Sequence, residues 1–205
     1  MVFFYLSSSY CNLVLFFFLM ILFGKWSSGD LLRVKRCKHS FHKECLLRWL
    51  RDNRKCPTCL AFVDEPVGLC PSGEMRISVN RGISCEGHTN DATIKIDYNI
   101  FSGKQKEYHE TEGKAFQGTT RSAYLPDNDD GRRLLKRLKY AFSHGLIFRI
   151  GTSSTTGRKE VIIWAGIHHK TSYKKGSHGW PDQTFFVRCN KELDDKGVPK
   201  ASDCP

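Results

Sequence analysis

The chain has 205 residues, of which 40% are hydrophobic and 26% charged, with 17 Gly, 7 Pro and 9 Cys. That composition supports one or two packed domains and excludes a wholly disordered, collagen-like or low-complexity chain. The 32 Lys and Arg against 21 Asp and Glu leave a net charge of +11, a balance that ordinarily points to nucleic acid or an acidic membrane surface.

The charge is not spread evenly. Residues 1–24 carry no charged side chain. Residues 25–60 hold ten Lys and Arg against Asp30, Glu44 and Asp52, a net of +7, which leaves +4 for residues 61–205. The basic signal therefore belongs to one short segment.

In the first segment the run 13–23 is apolar without a break, but Ser7, Ser8, Ser9 and Asn12 shorten it. A membrane span takes about 20 apolar residues. Two readings stand: an anchor formed by residues 10–24, with the basic residues after it on the cytosolic side, or a stretch outside the native coding sequence, such as a misplaced start. A secretory signal would need a basic start and a small-residue cleavage site, and secretion conflicts with the thiols that follow.

Residues 37–59 follow the pattern C-x-H-x2-H-x2-C-x10-C-x2-C. Zinc takes four nitrogen or sulfur ligands in a tetrahedron, and such short spacings let near neighbours grip one ion. Cys37, His39, His42, Cys45, Cys56 and Cys59 are the candidate ligands; ordinary core packing would not ordinarily produce this order. The odd cysteine total, interleaved with His, reads as metal binding in a reducing compartment, hence a cytoplasmic or nuclear location. Between the ligands, 44–50 suits a short helix with Leu46, Leu47, Trp49 and Leu50 making apolar contacts.

This pattern resembles the last six ligands of a RING domain. The resemblance implies that Cys37 and His39 join Cys56 and Cys59 on one zinc ion. His42 and Cys45 would share a second ion with an earlier C-x2-C, which this chain lacks. It also implies a ubiquitin-conjugating enzyme (E2) and ubiquitin as partners, with Trp49 and Pro57 at positions that contact the E2; core packing is the competing role for both. Leu60 follows the last cysteine, where many active RINGs place a basic residue that touches ubiquitin.

Further along, 93–100 alternates apolar and polar residues as a half-buried strand does, and 75–79 is a weaker strand. Apolar, β-branched runs at 146–150 and 161–164 read as buried strands. The run 131–143 reads as a helix with Leu134, Leu135, Leu138, Ala141 and Phe142 on one face, Asp129 or Asp130 capping its start and Gly145 ending it. A last helix is expected over 184–193, with Phe185, Phe186, Cys189 and Leu193 inward and Asp182 near its start. Residues 102–121 read as a long loop. The fold class expected is α+β: a small zinc-stabilised partial RING at 25–62, after the apolar segment 1–24, followed by a mixed α+β domain at 63–205.

Three stretches carry chemistry. G-T-S-S-T-T-G at 151–157 offers hydroxyls and amides to a phosphate or ribose, although most such runs are plain turns. I-H-H-K-T at 167–171 and S-H-G-W-P-D at 177–182 place His168, His169 and His178 as ligands, acid/base groups or structural donors. Together with C-P-S-G-E-M at 70–75, T-I-K-I-D-Y at 93–98, R-S-A-Y-L-P-D-N at 121–128 and G-R-R-L-L-K-R-L-K-Y-A-F at 131–142, they resemble the C-terminal domain of the Deltex ubiquitin ligases, from about Cys37 to Val198.

The resemblance implies a zinc-dependent ubiquitin ligase without a catalytic cysteine, whose C-terminal domain binds NAD or ADP-ribose and joins ubiquitin to ADP-ribose or ADP-ribosylated substrates. By motif, Ser154, His168 and His178 would line that pocket, His178 and Glu192 would position or deprotonate a ribose hydroxyl, Arg121 would meet a phosphate, and Trp180 would stack on a base or ribose. The family name implies a place in Notch signalling. The alternative is an ADP-ribose-binding module whose incomplete RING transfers no ubiquitin.

Overall fold

The computed structural model describes residues 31–204. The apolar run at 13–23 and Cys11 lie outside them. Among the described residues, no helix is long and apolar enough to cross a membrane. The chain divides into two compact units between Glu65 and Pro66.

The described part of the first unit begins with strands β1 (Leu31–Arg33) and β2 (Ser40–His42), paired antiparallel, with helix α1 (Lys43–Asp52) directly after. Two three-residue strands give too weak a period to be seen in the sequence. The helix covers the expected 44–50 and extends it at both ends. Its core is small: Val34, Phe41, Leu46 and Cys56, with Cys37, Leu50 and Val63 packed on it. Leu47 does not join that core as expected; it is exposed, because it sits one residue round the helix from Leu46 and so faces away.

The second unit is built on a three-stranded antiparallel sheet in the order β3 (Gly73–Asn80), β4 (Thr93–Ile100), β7 (Thr119–Pro126). In β4 the alternation predicted from sequence appears directly: Ile94, Ile96, Tyr98 and Ile100 are buried on one face. Helix α2 (Asp129–Ser143) buries Leu134, Leu138 and Ala141. The hairpin β8 (Phe148–Gly151) and β9 (Val161–Trp164) and helix α3 (Phe185–Asp195) complete the core with Phe148, Ile162, Phe185, Cys189 and Leu193. The chain is α+β, as its patterning implied.

Two local expectations are corrected. The cap of α2 is Asn128, whose side-chain oxygen accepts the Gly131 N–H at 3.0 Å, so Asp129 and Asp130 are the first helical residues instead. Gly145 does end the helix, with φ +70, a conformation glycine adopts without a Cβ penalty. Residues 102–121 are not one loop: they contain the short pair β5 (Gly103–Lys104) and β6 (Ala115–Phe116) and the start of β7. They fold around Gln105, which is buried and donates to the Glu160 carboxylate while accepting the Thr111 N–H at 3.2 Å. A buried amide has no hydrophobic period to betray it.

Candidate functional sites: a zinc centre and a histidine–carboxylate surface

The first site is set by two tight turns. Val34 N–H donates to His39 O and Lys38 N–H to Val34 O, both at 2.8 Å, which closes the turn holding Cys37 and His39. The Cys56–Cys59 turn is closed by Leu60 N–H to Cys56 O at 2.9 Å and Cys56 N–H to Ala61 O at 2.7 Å. Lys38 and Leu60 pay for this with φ of +62 and +57, the left-handed region that disfavours a Cβ.

The result is convergence. The ligand atoms of Cys37, His39, Cys56 and Cys59 all lie within 4.8 Å of one another. A tetrahedral zinc at about 2.3 Å from sulfur and about 2.0 Å from nitrogen sets neighbouring ligand atoms about 3.6 Å apart. The Cys56 Sγ to His39 Nδ1 distance is 3.7 Å. Burial works against the Cys56 thiolate, but the backbone N–H groups of Cys59 and Thr58 outweigh it and lower its pKa. The donor set therefore fits Zn2+. It is the one such group of three or more among the described residues, and His42 and Cys45 stand outside it. His42 precedes α1 as its cap and Cys45 is half-buried.

Trp49 and Pro57 are both half-buried. The Trp49 indole N–H donates to Lys55 O at 2.8 Å, so this side chain ties α1 to the second cysteine turn.

The second site lies where the segment after β9 meets α3. Glu192 on α3 accepts the backbone N–H of His168 at 2.8 Å with Oε2, and its Oε1 meets His168 Nδ1. The His168 side chain is 62% exposed and that of Glu192 21%, so the pair sits at the surface with the carboxylate behind the ring. Sequence reading gave Glu192 and His178 a shared role at a ribose hydroxyl; in the structure the carboxylate bonds to His168. Behind this pair, the Cys189 thiol donates to His168 O at 3.4 Å. Burial pushes that thiol up to about 12 and the Cys70 thiol up to about 11, so neither is a thiolate nucleophile near neutral pH.

His169 turns the other way. Its Nδ1–H donates to Ile167 O at 2.9 Å, and its Nε2 accepts from the Tyr98 hydroxyl at 2.9 Å. Its ring stacks on Trp164 at 4.3 Å between centroids. Burial pulls its pKa down to about 4, so it is neutral at physiological pH and serves as a structural donor.

His178 is exposed, and its carbonyl accepts the N–H groups of Thr171 at 2.9 Å and Ser172 at 3.3 Å. A Cβ on the neighbouring Gly179 would stand 1.9 Å from Lys174 O, so only glycine lets this loop close. The loop's ends are joined by Lys170 Nζ to Asp182 Oδ2 at 2.7 Å, with both side chains largely buried (7% and 18% exposed). The Lys170 ammonium beside it holds the Asp182 carboxyl well below the usual carboxylate range. The other Asp182 oxygen accepts the Thr184 N–H at 3.0 Å as α3 begins. Sequence reading missed the Lys170–Asp182 and Tyr98–His169 pairs, which the fold brings together from 12 and 71 residues apart.

Ser154 is exposed in the turn between β8 and β9. The turn itself is held by Ser153, whose Oγ accepts the Thr156 N–H at 3.2 Å and whose carbonyl accepts the Gly157 N–H at 2.8 Å. The Ser154 hydroxyl takes no part in closing it. Arg121 is exposed and stands opposite Tyr98 in the register, the residue that reaches His169. Trp180 is the clear correction: it is 1% exposed, donates its indole N–H to Tyr124 O at 3.1 Å and packs on Phe185. It is core, not a stacking platform. A cavity of about 230 Å³ between Pro71, Phe101, Lys104, Tyr108 and Phe116 shares none of these residues.

Comparison with known proteins follows this division. Residues 67–198 match the family model of the Deltex C-terminal domain, and residues 29–59 match the C3HC4-type zinc finger, or RING finger. The chain is 40% identical over 168 residues to the probable E3 ubiquitin-protein ligase DTX3 of Homo sapiens, covering 80% of this chain and 48% of that protein. It is 37% identical over 179 residues to the E3 ubiquitin-protein ligase DTX1 of Homo sapiens and, likewise over 179 residues, to DTX4 of Mus musculus; each match covers 83% of this chain and 29% of the relative. The chain thus spans about half, or less, of the curated relatives it matches.

Proposed function

The chain belongs to the Deltex family, and we propose that it acts as a Deltex-type ubiquitin ligase. In this reading the zinc unit engages a ubiquitin-loaded E2 and the C-terminal domain binds NAD or ADP-ribose as the acceptor of ubiquitin. Zinc on Cys37, His39, Cys56 and Cys59 supplies rigidity to the unit and takes no part in the transfer. Ser154, His168, His178, Glu192 and Arg121 form the polar surface that meets the ligand. ADP-ribosylated proteins or nucleic acids would be the larger substrates presenting that same group.

The observation that carries the reading is the exposed His168 ring backed by the Glu192 carboxylate, a ready acid/base pair at the surface of a domain with no thiolate nucleophile. The test is a reconstituted reaction with activating enzyme, E2, ubiquitin and ADP-ribose. The expected product is ubiquitin heavier by one ADP-ribose. Its absence, with ubiquitin charged on the E2, would overturn the reading.

A second reading has its own support. Cys37, His39, Cys56 and Cys59 already form a complete set of four ligands, enough for a binding module whose zinc unit holds one ion. In that case ADP-ribose binds and no ubiquitin moves.

A further inference from the structure

We infer that the cavity beside β5 is a docking site for a short acidic segment of a partner protein, which inserts one aromatic side chain there. The inference stands apart from the histidine–carboxylate surface, with which the cavity shares no lining residue.

The walls are braced by the protein itself. Phe101 N–H donates to Ser72 O at 3.0 Å, and Gly118 N–H to Ser102 Oγ at 2.9 Å. His109 Nδ1 accepts the Lys106 N–H at 2.9 Å, so its Nε2–H is the donor to Leu69 O at 3.2 Å. The buried Gln105 ties the same loop from inside. Yet this fixed loop leaves Phe101 44% and Tyr108 48% exposed, while Phe116, which also lines the cavity, is buried. Large apolar side chains held at a surface by a built loop mark a place of contact.

The charges choose the occupant. Lys104 and Lys106 line the same cavity, and neither is paired with a carboxylate among the described residues. Lys106 Nζ stands 5.9 Å from the centre of the Tyr108 ring. The acids of this loop, Glu107, Glu110 and Glu112, are not among the lining residues. The lining therefore suits an aromatic ring with negative charge beside it. A volume of about 230 Å³ is below the roughly 300–1,000 Å³ of pockets that enclose a drug-sized molecule, so it suits a single ring. A nucleic acid strand fits less well, because it needs a basic groove along several phosphates and meets three glutamates on this loop. An extended peptide can carry its acids only where the lysines are. It also finds a backbone edge, since β5 has β6 as its one strand partner among the described residues, and a free edge can accept a further strand.

Gly103 supplies the deciding variant. A Cβ there would lie 3.5 Å from Phe116 Cε1 and Cζ, an ordinary contact, with nothing else within 4 Å. Gly103→Ala thus sets a methyl against the ring that lines the cavity without a clash. The test is selection of a random peptide display library on the zinc-loaded full chain, repeated on Gly103→Ala. Wild type should enrich sequences with one aromatic residue flanked by Asp or Glu. The best of them should shift the amides of residues 101–109 and bind about tenfold or more weakly to Gly103→Ala. Should that variant lower the melting temperature, Lys104→Glu with Lys106→Glu, both exposed, should give a loss of similar size. Enrichment without acidic and aromatic bias, or binding undiminished by either variant, would overturn the inference. So would an oligothymidylate that shifts these amides when no selected peptide does.

Discussion

The two units of this chain are stabilised by different physics. Among the described residues the zinc unit's core holds Val34, Phe41, Leu46 and the ligand Cys56, whereas the C-terminal unit's core holds twenty-two buried residues. So small a described core offsets little of the entropy of ordering the unit, and zinc binding is expected to supply the rest. The second has a core sufficient in itself. The lesson is that the same residue type plays opposite roles in the two places: cysteine is a ligand in the first unit and a buried, inert thiol in the second.

The largest expected effect comes from breaking the metal centre. Chelation or Cys56→Ser should unfold the first unit outright and leave the second with its own melting transition, read by amide chemical shifts. Loss of both transitions together would break the comparison. Next in size is Asp182→Asn, which leaves Lys170 buried without its carboxylate. It should lower the stability of the C-terminal unit by about 3 kcal/mol, read by denaturant melts, with zinc content unchanged.

Acidification should act on the second unit through His169. Its pKa is about 4 in the folded state against 6.5 ordinarily. The unfolded chain therefore takes up a proton that the folded one refuses, and stability falls as pH drops from about 6.5 to about 4. The loss should reach about 2 kcal/mol at pH 5 relative to pH 7.5 and should vanish in His169→Asn. Asp182, with its lowered pKa, adds its own loss only below about pH 4. The smallest effect belongs to Leu60, exposed and left-handed. Leu60→Gly should stabilise the zinc unit by up to about 1 kcal/mol, seen as tighter zinc retention in a competition with a chelator.

The zinc set was legible because its ligands come in close pairs, so spacing alone brings each pair together. Strand β4, helix α2 and the pair β8–β9 were legible from period and β-branched runs. What escaped notice depends on tertiary burial of polar or amphipathic groups. Arg137 lies on α2 where a charged, solvent-facing residue would be expected, yet it is 2% exposed, paired to Asp194 at 2.6 Å and bonded to the carbonyls of Val198 and Pro199. Trp180 sits in a polar motif but is drawn into the core by Phe185 and Phe186. Glu192 was singled out from its motif, but its bonding partner, His168, depends on how α3 packs, which no local pattern encodes.

One measurement tests the account most directly: calorimetric titration of ADP-ribose into the zinc-loaded and the chelated protein. If binding belongs to the C-terminal unit and zinc only folds the first, the two dissociation constants should agree within about twofold. Binding that disappears with the metal, or that is absent from both samples, would contradict it.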